Sequence, residues 1–333
     1  MTQEHPFAQY VRILGKGRNG SRALSPEEAY EAFRLIMNGQ VEPIQLGAFL
    51  MLMRVKEESP EEVAAAVRAI RESLPIPANV PRVDLDWSSY AGKKRQLPWY
   101  LLSTLLLAES GVRIFMHGAS GHTAGRIYTK EVLPQLGIPV AHGFDEACRQ
   151  METGNFAYLD LEHLSPKLHQ IIEMRPLLGL RSPVHTIARM LNPFDAPCVM
   201  QGIFHPGYRD IHQEAGKLLE LPRMAVIKGE GGEIERNPDI ACLVRLVRDG
   251  ALTEEEWPPM FDKRHIRQDD LDVNHLIQVW DGSREDEYGV GAVVGTVAVA
   301  LYTMGRAQSR EEAEAQAQTL WQGRDKNRFR QAA

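Results

Sequence analysis

The sequence predicts an α/β protein in two parts: a small all-helical domain, and a larger α/β domain with a mostly parallel central sheet. Three observations carry this. The helix-start signal Ser-Pro-Glu-Glu occurs twice near the beginning, at Ser25 and Ser59. Val-Arg-Ile-Phe-Met at 112–116 reads as a buried strand running into a glycine-rich turn. From there to Lys228, strand-like apolar segments alternate with helical ones, the pattern of a parallel sheet.

The elements follow in order. Ser25 is an N-cap, with proline in the first helical position and two acids against the positive end of the helix. Ala29, Phe33, Ile36 and Met37 then share one face, and Asn38-Gly39 stops the helix. Residues 45–54 form a second, strongly apolar helix, and Ser59 opens a third through Val63, Val67 and Ile70. The helical domain is therefore expected at 1–80, joined in space by a proline-punctuated helical stretch at about 165–190, with dimerisation as its role. The α/β domain takes about 81–164 and 191–333. Its strands are expected at 112–116, 138–140, 157–159, 196–201 and 224–228, with helices at 145–153 and 211–219. The apolar stretch 289–305 is too short and too often interrupted by glycine and threonine for a membrane span, and reads as a buried helix.

Composition narrows the function classes. With 333 residues, 44% hydrophobic and 25% charged, the chain has material for a large core. Its start, MTQEHPFAQY, lacks the basic and apolar regions of a signal peptide, so a cytoplasmic protein with no membrane partner is expected. Three cysteines without CxxC spacing argue against a disulfide framework and a zinc site. A net charge of -6 gives no global attraction to nucleic acid, so any polyanion site must be a local patch.

Seven segments, in order from Leu24 to Gly323, carry a resemblance to a known family: Leu24-Ser-Pro-Glu-Glu-Ala29, Gln45-Leu-Gly-Ala-Phe-Leu50, His117-Gly118, Met174-Arg-Pro-Leu-Leu-Gly179, His185-Thr-Ile to Leu191-Asn-Pro193, Val226-Ile-Lys-Gly-Glu-Gly-Gly-Glu233, and the C-terminal apolar helix with Ser309-Arg-Glu-Glu. Together they resemble the anthranilate phosphoribosyltransferases of glycosyltransferase family 3, whose fold is shared by nucleoside phosphorylases. The resemblance implies a homodimer with phosphoribosyl diphosphate and magnesium in the cleft between the domains. It also marks departures. Where the family has a Gly-Thr-Gly-Gly-Asp turn for diphosphate, this chain has 86–100, in which only Gly92 remains among Trp87, Tyr90, Lys93, Lys94 and Arg95. Where the family has Lys-His-Gly-Asn, His117-Gly118 stands between Met116 and Ala119. The turn after it either presents Ser120 and Thr123 to a phosphate or is a plain strand-to-helix connection. The family's adjacent metal-binding acids are replaced by Glu233 and Glu235, which are no longer adjacent and are expected to point to opposite sides. Magnesium on these two is the only metal site the resemblance offers. Arg175 stands at the family's substrate-carboxylate arginine, where it grips an anion or forms an interdomain salt bridge.

The replaced loop mixes cations with aromatics, as does nucleic-acid binding by phosphate pairing and base stacking on Trp87 or Tyr90. The alternative is a solvated basic run beside core aromatics. A second basic segment holds Arg12, Lys16, Arg18 and Arg22 among three glycines. These changes look like the YbiB-type branch of the fold, implicated in nucleic-acid binding. The expectation is thus a homodimeric, sequence-tolerant nucleic-acid-binding protein favouring single-stranded DNA, with no cofactor required and the old substrate cleft vestigial. The alternative is a phosphoribosyl or pentosyl transferase with an altered acceptor; anthranilate phosphoribosyltransferase activity itself is not expected.

Overall fold

The computed structural model describes residues 4–121, 123–266 and 271–329. Both serine caps form: Ser25 Oγ accepts from the Glu28 N–H and Ser59 Oγ from the Glu62 N–H, each with the reciprocal carboxylate bond of a capping box. They start α2 (Pro26–Met37) and α4 (Pro60–Glu72); α1 (Ala8–Gly15) precedes them and α3 (Pro43–Lys56) lies between. Fully buried Glu62 also accepts from the Leu24 N–H at 2.8 Å and pairs with Lys56 at 2.7 Å, tying the entry of α2 to that of α4. Phe7, Phe49 and Phe33 meet edge-on inside this bundle. The short helix Val184–Ile187 packs on α4 and on Pro166–Glu173, which brings the 165–190 stretch to the bundle.

The larger domain is a seven-stranded sheet in the order β3-β2-β1-β4-β5-β6-β7. The strands are β1 (Leu85–Ser89), β2 (Ile114–Gly118), β3 (Phe156–Asp160), β4 (Cys198–Ile203), β5 (Arg223–Lys228), β6 (Cys242–Arg248) and β7 (Ala251–Trp257). β1 to β5 are parallel, and β6 and β7 extend the sheet antiparallel. α5 (Trp99–Glu109) and the helix Glu287–Met304 pack together over one face, and the helices Phe144–Gly154 and Tyr208–Leu218 pack on β3 and β5 from the other. Helix Glu287–Met304 is long and apolar enough to cross a bilayer, where the sequence suggested that it is too short, but 83% of it is buried inside the fold, the buried helix expected.

Four strands differ from expectation: 138–140 does not form, and β1, β6 and β7 were not expected. Residues 138–140 are not a strand: Pro139 offers no N–H, and one isolated bridge, Ala141 to Leu159, is all that forms there. β1 is a strand although Asp86 and Ser88 are polar, because both are buried in the sheet. β7, with Glu254, Glu255 and Glu256 in succession, is a strand because β6 supplies the ladder and Arg245 pairs with Glu254 at 3.1 Å.

Strand order reverses between β1 and β4, so the loops after these two strands, at 90–98 and 204–207, flank the crevice where ligands bind in such sheets. Close backbone packing sets this corner. A Cβ on Gly118 would lie 1.9 Å from Ser89 O, at the end of the neighbouring strand. Gly118→Ala is therefore expected to lower stability by about 3 kcal/mol or more, read as a fall in denaturant midpoint. An unchanged midpoint would contradict this packing.

Candidate functional site

The loop after β1 presents five successive N–H groups, and the chain itself takes every one. Ala91 and Gly92 donate to Glu233 Oε1 at 2.6 Å each, and Lys93 donates to Ile127 O at 2.9 Å. Lys94 and Arg95 donate to Glu230 Oε1 at 3.1 and 2.7 Å. Gly92 has φ +67, and a Cβ there would strike the Tyr128 ring at 2.9 Å, so this one glycine cannot be replaced cheaply. The Lys93 side chain is 1% exposed, 2.5 Å from Glu235 Oε1 and 3.2 Å from Glu230 Oε2. Burial opposes its charge, but Glu235 and Glu230 outweigh burial and raise its pKa. Glu235 Oε2 accepts from the Tyr100 N–H at 3.0 Å, fastening the loop to the first turn of α5.

This geometry corrects several expectations. Trp87 and Tyr90 are 0% and 1% exposed, so neither can stack on a base. Trp87 lies in the core on the α5 side, and Tyr90 shares a 2.8 Å hydrogen bond with His117 Nδ1. His117 is itself fully buried, with Nε2 3.3 Å from Asp86 Oδ1, so it does not meet a ligand from solvent. Lys93 is withdrawn from the basic patch by its two carboxylates. Glu233 and Glu235 do not diverge: residues two apart in an extended segment share one side, and the tight turn at Glu230–Gly232, with Gly231 at φ +69, brings that side to the loop. Glu233 Oε1 and both Glu235 oxygens are occupied by N–H groups or Lys93, which does not fit a magnesium site. Among the described residues no group of three His, Cys, Asp or Glu is placed to hold a metal.

Lys16, Arg18, Lys94 and Arg95 are exposed, as a phosphate-contacting role requires. Arg22 is exposed but committed to Glu28 through bonds of 2.6 and 2.7 Å. That guanidinium draws the Glu28 pKa down to about 2. Arg95, next to Lys94, lines a groove of about 500 Å³ with Arg209, Lys228, Arg264 and the half-exposed Phe204, alongside the acids Glu230, Glu235, Asp239 and Glu256.

On the other side of the loop the sequence reading found Arg175, Thr123 and Ser120 but missed Arg126, Arg181 and Arg189. Arg175 and Arg181 both donate to Thr123 Oγ1, at 2.7 and 3.2 Å, while Ser120 reaches Asp160 at 3.5 Å. Arg126 donates to Ala91 O at 2.7 Å, and buried Arg189 donates to Gly232 O at 2.8 Å. Burial, together with Arg126, Arg189 and Arg175 nearby, lowers the Arg181 pKa to about 10. The available signal was three arginines, at 175, 181 and 189, in one short stretch between the domains.

Burial and Arg189 also lower the pKa of His212 to about 3. The folded value lies below the unfolded one, so stability is full above pH 6.5 and falls as pH drops. About 2 kcal/mol should be lost between pH 7 and pH 5. Denaturation curves at the two pH values should show this slope, and His212→Met should flatten it.

Comparison with known proteins agrees with the fold. The helical bundle domain of a glycosyl transferase family matches residues 11–74. An uncharacterized protein of Aquifex aeolicus is 30% identical over 319 residues, 93% of this chain and 96% of that protein. Anthranilate phosphoribosyltransferase of Ralstonia pickettii is 27% identical over 270 residues, 78% of this chain and 77% of the enzyme. The chain belongs to the anthranilate phosphoribosyltransferase-like glycosyltransferase family. Among solved structures, the family enzyme from Thermus thermophilus superposes with a TM-score of 0.79 at 21% identity, covering 99% of this chain and 97% of that one. The Saccharomyces cerevisiae enzyme, seen with phosphoribosyl diphosphate and magnesium, gives 0.78 at 15% identity, covering 98% and 95%. At these identities the two structures establish the fold of the family. The ligands belong to the yeast protein.

Proposed function

We propose that this family member binds nucleic acid, without sequence preference and favouring single strands, and does not transfer a phosphoribosyl group. The observation that supports it is the loop after β1. Its five N–H groups are consumed by Glu233, Glu230 and Ile127, while the Lys94 and Arg95 side chains stand exposed beside a groove with Arg209, Lys228 and Arg264. A diphosphate needs N–H groups converging on one point, whereas a strand needs spaced, solvated cations. Phe204, 51% exposed, offers a face for stacking in place of the buried Trp87 and Tyr90. A second copy of the chain completes the assembly, because Ile44 and Leu177, 83% and 85% exposed, are large apolar residues left to water on the helical part.

Titration of a labelled oligothymidine against salt tests this. Log affinity should fall with log salt at a slope of about -0.7 per neutralised phosphate. Lys94→Glu with Arg95→Glu should weaken binding by about tenfold or more and flatten the slope. Absence of binding at low salt removes the proposal.

One observation favours a second reading, a pentosyl transferase with a changed anionic acceptor: Arg175 and Arg181 converge on Thr123 at the position of the family's substrate arginine, and the named relatives are transferases. Calorimetry with phosphoribosyl diphosphate and magnesium separates the two. Saturable micromolar binding supports the transferase, and silence removes it.

A further inference from the structure

We infer that the chain carries a phosphomonoester site in a small cavity at the carboxyl end of β4, shaped for the phosphate of a nucleotide whose base lies outside against Phe204. The inference goes beyond the nucleic-acid reading and does not rest on it.

The cavity, of about 120 Å³, lies between the end of α3, the 181–189 stretch and the first turns of helix Tyr208–Leu218. Arg54, Arg181 and Arg189 line it with one carboxylate, Glu58. Burial pushes the Glu58 carboxyl up, toward its neutral form, with Arg54 opposing. Arg126 and Arg175 add positive potential beside Arg181, and Glu233, the acid near Arg189, already accepts two N–H bonds. Guanidiniums gathered in a small, partly open cavity, with Arg189 buried and Arg54 and Arg181 half-buried, repel one another unless an anion joins them.

The cavity is built as well as charged. Arg189, 8% exposed, is held by Gly232 O at 2.8 Å and Gly202 O at 3.3 Å, so its fork is fixed before a ligand arrives. Arg181 is held by Thr123. Ser182 Oγ and His212 Nδ1 also belong to the lining residues; at 4% and 2% exposure, neither atom has a hydrogen-bond partner among the described residues. Buried polar atoms without partners are rare in folded chains and mark a place where a ligand or solvent completes the bonding. Guanidiniums and a hydroxyl donor together suit a tetrahedral dianion better than a planar carboxylate, which offers fewer oxygens.

Size then selects the ligand. The space admits a phosphate group and little more, so a sugar and base must remain at the mouth. Phe204 stands there, lining both this cavity and the 500 Å³ groove. Two sources carry the same chemistry, a free mononucleotide and the terminal phosphate of a strand.

Calorimetry on the full chain, in a buffer free of phosphate, tests the site with inorganic phosphate, ribose 5-phosphate and adenosine 5′-monophosphate. All three should bind saturably, and Arg181→Met should weaken each by about tenfold or more. Phe204→Ala, an exposed substitution, should leave inorganic phosphate unchanged and weaken the mononucleotide by about tenfold, the size of one stacking contact. Oligothymidines with and without a 5′-phosphate separate the sources: a preference for the phosphorylated strand, lost in Arg181→Met, assigns the site to strand ends, and equal affinity assigns it to free nucleotides. The inference is overturned if none of the three small probes binds, or if Arg181→Met binds them as the wild type does while keeping its unfolding midpoint. Strands that bind while the small probes do not would leave the nucleic-acid reading standing alone. Small probes that bind while strands do not would leave this site standing alone.

Discussion

Glu233→Ala is expected to lower the free energy of unfolding by about 3–5 kcal/mol, because it leaves two buried N–H groups unmatched at once and each such loss is worth about 1–3 kcal/mol. Ala91 and Gly92 both donate to Glu233 Oε1 at 2.6 Å, and the acid is fully buried. The substitution also empties a space shaped by a carboxylate and lined by donors. Formate or inorganic phosphate at high concentration should therefore raise the unfolding midpoint of Glu233→Ala and leave the wild type unchanged, since a ligand of the folded state alone stabilises it by mass action. Glu233→Gln, which keeps the accepting oxygen, should lose less and show no rescue. Denaturation curves with and without the two anions decide the matter. A small loss without rescue would mean that the loop is held by other contacts. The result bears directly on the choice between functions. If the alanine variant gains affinity for phosphoribosyl diphosphate, the side chain of Glu233 is what keeps that ligand out of the wild type.

The helical starts were legible in the sequence because a capping box is local: Ser25 and Glu28, or Ser59 and Glu62, are three residues apart and satisfy each other's backbone bonds. The parallel strands were legible because burial on both faces makes them continuous apolar runs. The site was less so, and its two misreadings are one. Lys93 looked like part of an exposed basic patch because a lysine is seldom buried alone, and Glu233 and Glu235 looked like metal ligands because the resemblance places the family's metal-binding acids there. Each segment was read without the other. In the fold, 142 residues of sequence separate Lys93 from Glu235, and the two meet at 2.5 Å. For Glu235 the expected cation is the lysine, while Glu233 holds the Ala91 and Gly92 N–H groups instead. Lys94 and Arg95, next in the chain, lack such side-chain partners in the 230–235 segment and keep the exposure that the composition of the loop suggested.

Lys93→Met should be the most damaging single change in this loop, with an expected loss of about 3–5 kcal/mol, because removing one member of a buried ion pair strands the other. Glu235 is 2% exposed and would keep only the Tyr100 N–H, with Glu230 close by as a like charge. Burial already pushes the Glu235 carboxyl upward in the wild type, and Lys93 is the main opposing influence. Without the lysine the folded-state pKa of Glu235 should rise further above its unfolded value. A raised acid means that the folded state holds the proton more tightly, so the variant should be most stable in acid and lose stability as pH rises through that range. The wild type, whose Glu235 is raised less because Lys93 opposes burial, should show a smaller component of the same sign. Lys93→Met with Glu235→Leu removes both charges and should recover most of the loss together with the pH slope, since an apolar pair of similar volume often matches a buried ion pair. Urea denaturation of the three proteins at pH 5 and pH 8 reads both quantities. A neutral Lys93→Met would return the lysine to the exposed patch the sequence suggested, adding a third cation to the face on which Lys94 and Arg95 are proposed to meet a strand.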